Sequence, residues 1–412
     1  MPSPERVLVL DGQTTQGLAC VRSLGRAGHT VYVASPLRRP LAAWSRYCRA
    51  HFRLGDETIA GFAALRAWAQ MQGVRIVLPQ LERSCLLCDA EREQWEAAGI
   101  ELGCGPQDML LRAFDKARTL ELAASCGLRI PPTRFPRSLA ESRTAAEAIG
   151  YPCILKPRFS DYWDGDRFRS DHGARYVPDP ASLDAAVAAC RRGEAWPVIQ
   201  GIVAGRGKGV FALCDRGDPV AWFGHERLRD VRPSGSGSSL RRSIPLDPRL
   251  REPAARLLSA MAWHGPVMVE FRDDGAGEPC LIEVNGRFWG SLELAIASGV
   301  DFPKLWVELL RGERVAATSA YESGVTVRWA WGDVKRLLYV VAGGSETWRP
   351  DDRWPGVGEW MQGIGGLGGL FRATFARALR RAPRPPPPPR LADIPQRATP
   401  APGSRAAEVM RP

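Results

Sequence analysis

Hydrophobic positions along this chain switch repeatedly between strand-like runs and a helical period, and the switches mark out its elements. Val7-Leu8-Val9-Leu10 is a short apolar run, a helical pattern follows from Gly17 to Ala27, and Thr30 to Ala34 is apolar again. A second helical pattern spans Ile59 to Gln72 and precedes the run Arg75-Ile76-Val77-Leu78-Pro79. Strands alternating with helices of this length predict a parallel, doubly wound sheet over residues 5 to about 105. The turn after the first strand, Asp11-Gly12-Gln13-Thr14-Thr15-Gln16-Gly17, lacks the GxGxxG spacing of a dinucleotide site, so no nicotinamide cofactor is expected there.

A different pattern appears further on. Val267 to Phe271 and Leu281-Ile282-Glu283-Val284-Asn285 read as two strands, separated by the turn-rich stretch Asp273-Asp274-Gly275-Ala276-Gly277-Glu278-Pro279. Folding the hairpin about Ala276-Gly277 sets Glu270 opposite Glu283. Alternation puts Asn285 on the same face as Glu283. Like charges directly opposed are destabilising unless a cation lies between them, and hard oxygen ligands of this kind suit magnesium. Arg287 continues the face and adds a fork-shaped donor for phosphate or carboxylate. The alternative is an antiparallel hairpin whose acids are solvated.

Composition bounds the reading. The 412 residues give room for two or three domains, and 45% hydrophobic with 25% charged residues is the balance of a soluble globular protein. No apolar run approaches the roughly 20 residues of a membrane span. The chain starts without a signal-peptide pattern, so a cytoplasmic location is expected. Ten scattered cysteines suit free thiols in a reducing compartment. Cys85-Leu86-Leu87-Cys88 has CxxC spacing without a second pair or a nearby histidine, which argues against a metal or redox site. The net charge of +11 comes without an aromatic-interleaved basic stripe, so no nucleic-acid partner is expected. Only five lysines stand in this arginine-rich chain. Two of them, Lys116 and Lys156, sit where a compact point charge on phosphate makes sense.

Four segments, in order, resemble the ATP-grasp ligases, including the large subunit of carbamoyl-phosphate synthase. Ala113-Phe114-Asp115-Lys116 opens a helix to Gly127 followed by Ile130-Pro131-Pro132-Thr133. Gly150 to Pro157 carries Lys156, and Val198-Ile199-Gln200-Gly201-Ile202 is similar to the family's hinge strand. Glu270 with Glu283-Val284-Asn285-Gly286-Arg287 resembles its metal signature. The resemblance spans residues 6 to about 335. It implies a fold of mixed α/β and α+β class with four regions. Residues 1–105 would be a Rossmann-like domain and 106–312 a two-lobed ATP-grasp module, its lobes split near Arg192 to Trp196. Residues 313–382 would be a small helical and strand extension, and 383–412 a disordered proline-rich tail.

It also implies an activity: ATP-dependent activation of a carboxylate as an acyl phosphate, which an amine then attacks. By the resemblance, Glu270, Glu283 and Asn285 hold magnesium, or manganese in its place. Lys116 and Lys156 orient phosphates, and Gln200, Gly201 and Ile202 meet adenine. Arg287 and Lys156 are the catalytic cations. The partners are a small carboxylate and a small amine, in a monomer or a homodimer. The competing reading is a non-catalytic nucleotide-binding scaffold that keeps the fold.

Some segments depart from the family pattern. The stretch Phe159 to Arg169 stands where relatives carry a phosphate-covering loop, but it is poor in glycine, so Arg167 or Arg169 is a candidate substitute. Arg206 occupies the place of a ribose-binding glutamate. Pro233 to Ser239 reads as a flexible Gly/Ser loop suited to anions, and His225 as a structural histidine. Val325 to Asp333 reads as a strand and then a helix. Leu367, Leu370, Phe371, Phe375 and Ala378 have helical spacing with arginines around them, a helix expected to dock on its own protein rather than on a membrane surface.

Overall fold

In the computed structural model of the chain, residues 4–163, 168–170, 173–232, 235–273, 275 and 277–342 are described. The amphipathic stretch at Leu367 to Ala378, the proline-rich tail and Arg167 lie outside them.

The first sheet contains β1 (Arg6–Val9), β2 (Thr30–Ser35), β3 (Cys48–Arg53), β4 (Ile76–Leu78) and β5 (Glu101–Leu102), all parallel, in the order β3-β2-β1-β4-β5. Val7, Val9, Val31 and Val33 are fully buried, as expected of a parallel sheet covered on both faces. Helix Thr15–Arg26 starts where the Thr14 side chain accepts from the Gly17 N–H. Strand order reverses between β1 and β4, so the loops leaving those two strands diverge and open a crevice at their carboxyl ends. Asp11 ties the loops together, accepting from the Gln80 N–H at 3.0 Å and the Ser84 hydroxyl at 2.9 Å.

The second sheet is antiparallel, with β6 (Thr133–Arg134), β7 (Cys153–Lys156), β10 (Arg175–Val177) and β11 (Val198–Gly201) in the order β10-β7-β11-β6. Helices Leu139–Ile149 and Pro180–Cys190 cover it, and Ala146, Cys153, Leu155, Val187 and Ile199 form its own small core. Between β7 and β10 the chain forms a two-stranded ribbon, β8 (Asp161–Trp163) and β9 (Phe168–Ser170).

The third sheet has six strands: β12 (Arg206–Asp215), β13 (Asp218–Arg232), β14 (Ser236–Ser243), β15 (Gly265–Asp273), β16 (Cys280–Asn285) and β17 (Thr326–Arg328). Their order is β16-β15-β12-β13-β14-β17, with every pairing antiparallel. Its buried residues Val210, Ala212, Val267 and Val269 share one core with Leu8, Trp68 and Leu87 beneath the first sheet. Helix Ala330–Ala342 follows β17.

Three details differ from the sequence reading. The chain leaves the second sheet at Ile202–Gly205, not near Arg192 to Trp196, because β11 still pairs with both β6 and β7. The single helix expected from Ala113 to Gly127 is two, Gln107–Phe114 and Lys116–Ser125, broken at Asp115. The Asp115 side chain caps the second helix, and Arg158 clamps it through two hydrogen bonds of 2.8 and 2.7 Å. Much of the expected Gly/Ser loop is strand instead: Ser236 pairs with Arg232 and Ser238 with Asp230. Backbone pairing with the 15-residue β13 overrides the weak strand preference of Gly and Ser. All ten cysteines are free, and among the described residues no helix is long and apolar enough to cross a membrane.

Candidate functional site

The hairpin of β15 and β16 places Glu270 directly opposite Glu283 and Met268 opposite Asn285. This is the register that folding about Ala276-Gly277 requires. The register shifts between Glu270 and Phe271, so Ile282 forms a bulge that re-aims the strand next to the carboxylates. Arg287 lies just past the strand end. Its Nη2 donates to Asn285 Oδ1 at 3.2 Å and its Nη1 to the Phe288 carbonyl at 3.1 Å.

The two lysines approach from the second sheet and its entry helix. Lys116 opens helix Lys116–Ser125, and its Nζ donates to Ser160 Oγ at 3.0 Å. Lys156 ends β7. Gln200 is buried in β11, its amide nitrogen donating to Thr133 Oγ1 at 3.1 Å, while the Gly201 N–H goes to the Pro132 carbonyl at 2.9 Å. Those two donors are used inside the fold. One cavity of about 490 Å³ collects all nine residues singled out from the sequence: Lys116, Lys156, Gln200, Gly201, Ile202, Glu270, Glu283, Asn285 and Arg287. A larger cavity of about 800 Å³, bordered by Arg112, Asp215, Arg216 and His264, contains none of them.

Electrostatics divides the carboxylate pair. Burial pushes Glu283 up, but Lys116, Lys156, Arg287 and Arg227 together outweigh it and hold the acid below its ordinary range. Glu270 is shifted the other way: burial and its neighbour Glu283 prevail over the guanidinium of Arg227. Lys156 is depressed by burial first and by Lys116 next, against the pull of Glu283 and Glu270. An ammonium desolvated in this way gains most from a bound anion.

Sequence reasoning missed Arg227 and Glu82. Arg227 lies on β13, and its guanidinium forms an ion pair with the Glu270 carboxylate. Gly207 on the intervening β12 leaves room for the reach, while Gly209 leaves room for the Phe211 ring. A Cβ on Gly207 would meet Arg227 Cδ at 3.0 Å, and one on Gly209 would fall 2.6 Å from the Phe211 ring. The repeated glycines of Gly205-Arg206-Gly207-Lys208-Gly209 were the available signal. Glu82 opens the helix Glu82–Ala90 that follows β4, with Oε1 3.8 Å from Arg287 Nη2. Burial raises its carboxyl to about 7, against the pull of Arg287. No local motif marks it.

Magnesium fits the donor set in chemistry. Two opposed carboxylate groups and an amide oxygen are hard ligands that leave the rest of an octahedral shell to phosphate and water. Among the described residues there is no cluster of three or more His, Cys, Asp or Glu side chains suited to a metal, so the set depends on Asn285 as its third protein donor.

Comparison with known proteins adds a family. Residues 218–332, which include Arg227, Glu270, Glu283, Asn285 and Arg287, match the family described as "ATP-grasp in the biosynthetic pathway with Ter operon". The chain is 28% identical over 315 residues to the carbamoyl phosphate synthase large chain of Xylella fastidiosa, a match covering 70% of this chain and 27% of that protein. It thus spans about a quarter of the length of that relative. Over 211 residues it is 29% identical to the D-alanine–D-alanine ligase of Stutzerimonas stutzeri, covering 48% of this chain and 64% of the ligase. Among solved structures, N5-carboxyaminoimidazole synthetase from Staphylococcus aureus complexed with ADP superposes with a TM-score of 0.62 at 14% identity. That alignment covers 78% of this chain and 81% of the synthetase, and it establishes a shared fold.

Proposed function

We propose that the chain, which resembles ATP-grasp proteins over residues 218–332 and in the carbamoyl phosphate synthase match, is an ATP- and magnesium-dependent ligase that joins a carboxylate to an amine. The observation that carries this reading is the single cavity in which a pair of opposed carboxylates, two lysines and an arginine fork meet. Residues 106–312 would hold the nucleotide. The loops at the carboxyl ends of β1 and β4 in the Rossmann-like unit 1–105 would border the acceptor.

In this reading a carboxylate oxygen attacks the γ-phosphorus of ATP and ADP leaves, giving an acyl phosphate. The amine nitrogen then attacks the acyl carbon, phosphate departs and the nitrogen loses a proton. Lys116 and Lys156 orient the phosphates from one side. Arg287, fixed by Asn285 and the Phe288 carbonyl, presents its fork to the transferred phosphoryl group, where charge spreads over the equatorial oxygens. Glu270, Glu283 and Asn285 would hold magnesium, which when bound neutralises phosphate charge. Gln200, Gly201 and Ile202 border the adenine end.

A non-catalytic nucleotide-binding scaffold is the second reading, and the Arg227–Glu270 ion pair favours it, since a guanidinium already occupies one carboxylate. Phosphate release from ATP and magnesium, screened over pooled carboxylates and amines, tests the two. Release that depends on an added acid supports the ligase. Nucleotide binding without release in every pool supports the scaffold.

A further inference from the structure

Residues 12–55 contain seven arginines and not one Asp or Glu, in a chain that carries 45 acids in all. Arg26, Arg38, Arg39, Arg46, Arg49 and Arg53 are exposed, and among the described residues none of these six forms an ion pair. The fold gathers them at one edge of the first sheet. Strand β3 ends that sheet, and residues 36–47 join it to β2. The register sets His51 and Arg53 beside Val33 and Ser35, and Val33 shares a core with Ala42 of the connecting loop. His51 Nε2 lies 3.2 Å from the Arg38 carbonyl, so loop and strand are in contact. At the other end of the loop, a Cβ on Gly25 would fall 2.3 Å from Tyr47, and the Arg46 guanidinium lies 4.7 Å from the centroid of the same ring.

The apolar residues of the loop divide into an anchor and a tip. Pro40 and Ala42 are buried, and the Ala42 N–H donates to the Gly12 carbonyl at 2.8 Å, which seats the turn Leu41–Trp44 on the end of β1. Leu37, Leu41 and Trp44 stay outside, 51%, 41% and 63% exposed. One exposed apolar side chain needs no explanation. Three within eight residues, among arginines without counter-charges, mark an interaction surface.

The occupant follows from the chemistry. A second copy of the chain is a poor match, since an isologous contact would set these arginines against their own counterparts. Nucleic acid is poor too. Leu37 and Leu41 offer nothing to phosphates or base edges, and Tyr47 is covered by Arg46, which leaves Trp44 as the one stacking platform. An anionic bilayer suits both parts: Trp and Leu enter the boundary between headgroups and acyl chains, while arginines around them meet lipid phosphates. We propose that the loop 36–47 and β3 form a docking surface for an anionic membrane, with Leu37, Leu41 and Trp44 inserted and the arginines on the headgroups. Because the turn is seated on Gly12, the bilayer would lie beside the crevice at the carboxyl ends of β1 and β4.

Co-sedimentation of the full chain tests this, with vesicles of phosphatidylcholine alone or of phosphatidylcholine with about a third phosphatidylglycerol. Wild type is expected to partition at least tenfold more onto the anionic vesicles. Arg38→Glu combined with Arg39→Glu should lose tenfold or more of that binding. Leu41→Ser combined with Trp44→Ser should lose fivefold or more, and what remains should keep the wild-type dependence on salt. Melting temperatures record that these variants fold. Equal partition of wild type onto both vesicles overturns the proposal, as does anionic binding that survives both double variants and so belongs to another surface. Binding of polyglutamate as tight as that of the anionic vesicles, and unchanged by the loss of Leu41 and Trp44, would make the partner an acidic protein and overturn it as well.

Discussion

Glu82 and Arg287 meet 3.8 Å apart, a buried acid at the start of the helix Glu82–Ala90 against a guanidinium just past the end of β16. The acid is raised to about 7, chiefly by burial. An unfolded glutamate titrates near 4.3, so the folded state holds the proton more tightly. Stability therefore falls as pH rises through the window from the unfolded value to about 7, by on the order of 4 kcal/mol at most. Glu82→Gln should gain in melting temperature over wild type at pH 8 and gain little at pH 5. Equal differences at both pH values would mean that Glu82 is ionised throughout.

Arg227 is the internal counter-ion of Glu270. Removing one partner of a buried pair costs about 3–5 kcal/mol because the other charge is stranded. Arg227→Gln should melt well below wild type in EDTA and recover much of the loss in millimolar magnesium, whereas wild type should respond weakly to magnesium alone. Thermal scans with and without metal decide this. A variant whose deficit ignores magnesium would argue that the carboxylate pair does not take a cation.

Lys156 carries a half-buried ammonium whose pKa is lowered by desolvation and by Lys116. A triphosphate would relieve both. Lys156→Met should weaken binding of an ATP analogue by tenfold or more, and Lys116→Met by less, since Lys116 is already bonded to Ser160. Fluorescence titration measures both. Unchanged affinity in Lys156→Met would remove that lysine from the phosphate site.

Much of the site was legible because local rules set it. A hairpin folded about Ala276-Gly277 predicts Glu270 opposite Glu283, which is the pairing found beyond the bulge at Ile282, and strand alternation carries Asn285 with them. Lys116 and Lys156 stood out against an arginine background. Arg227 and Glu82 were not legible, since their roles arise from long-range register. Arg227 gains its meaning from Gly207 on the neighbouring strand, and Glu82 from a guanidinium about two hundred residues on, just past the end of β16. The same cause hid β14, whose Gly/Ser composition signals a loop until β13 is there to pair with it. Strands β3 and β5 were missed because each is half exposed or very short.

The central claim is that the cavity makes an acyl phosphate, and hydroxylamine trapping tests it most directly. Incubated with ATP, magnesium, a carboxylate pool and hydroxylamine in place of the amine, wild type should yield a hydroxamate in step with phosphate release. Arg287→Lys should lose at least tenfold of that yield while keeping its affinity for ATP, because a point charge cannot reproduce the fork. Tight ATP binding with no hydroxamate from any carboxylate, or full yield from Arg287→Lys, would contradict the account.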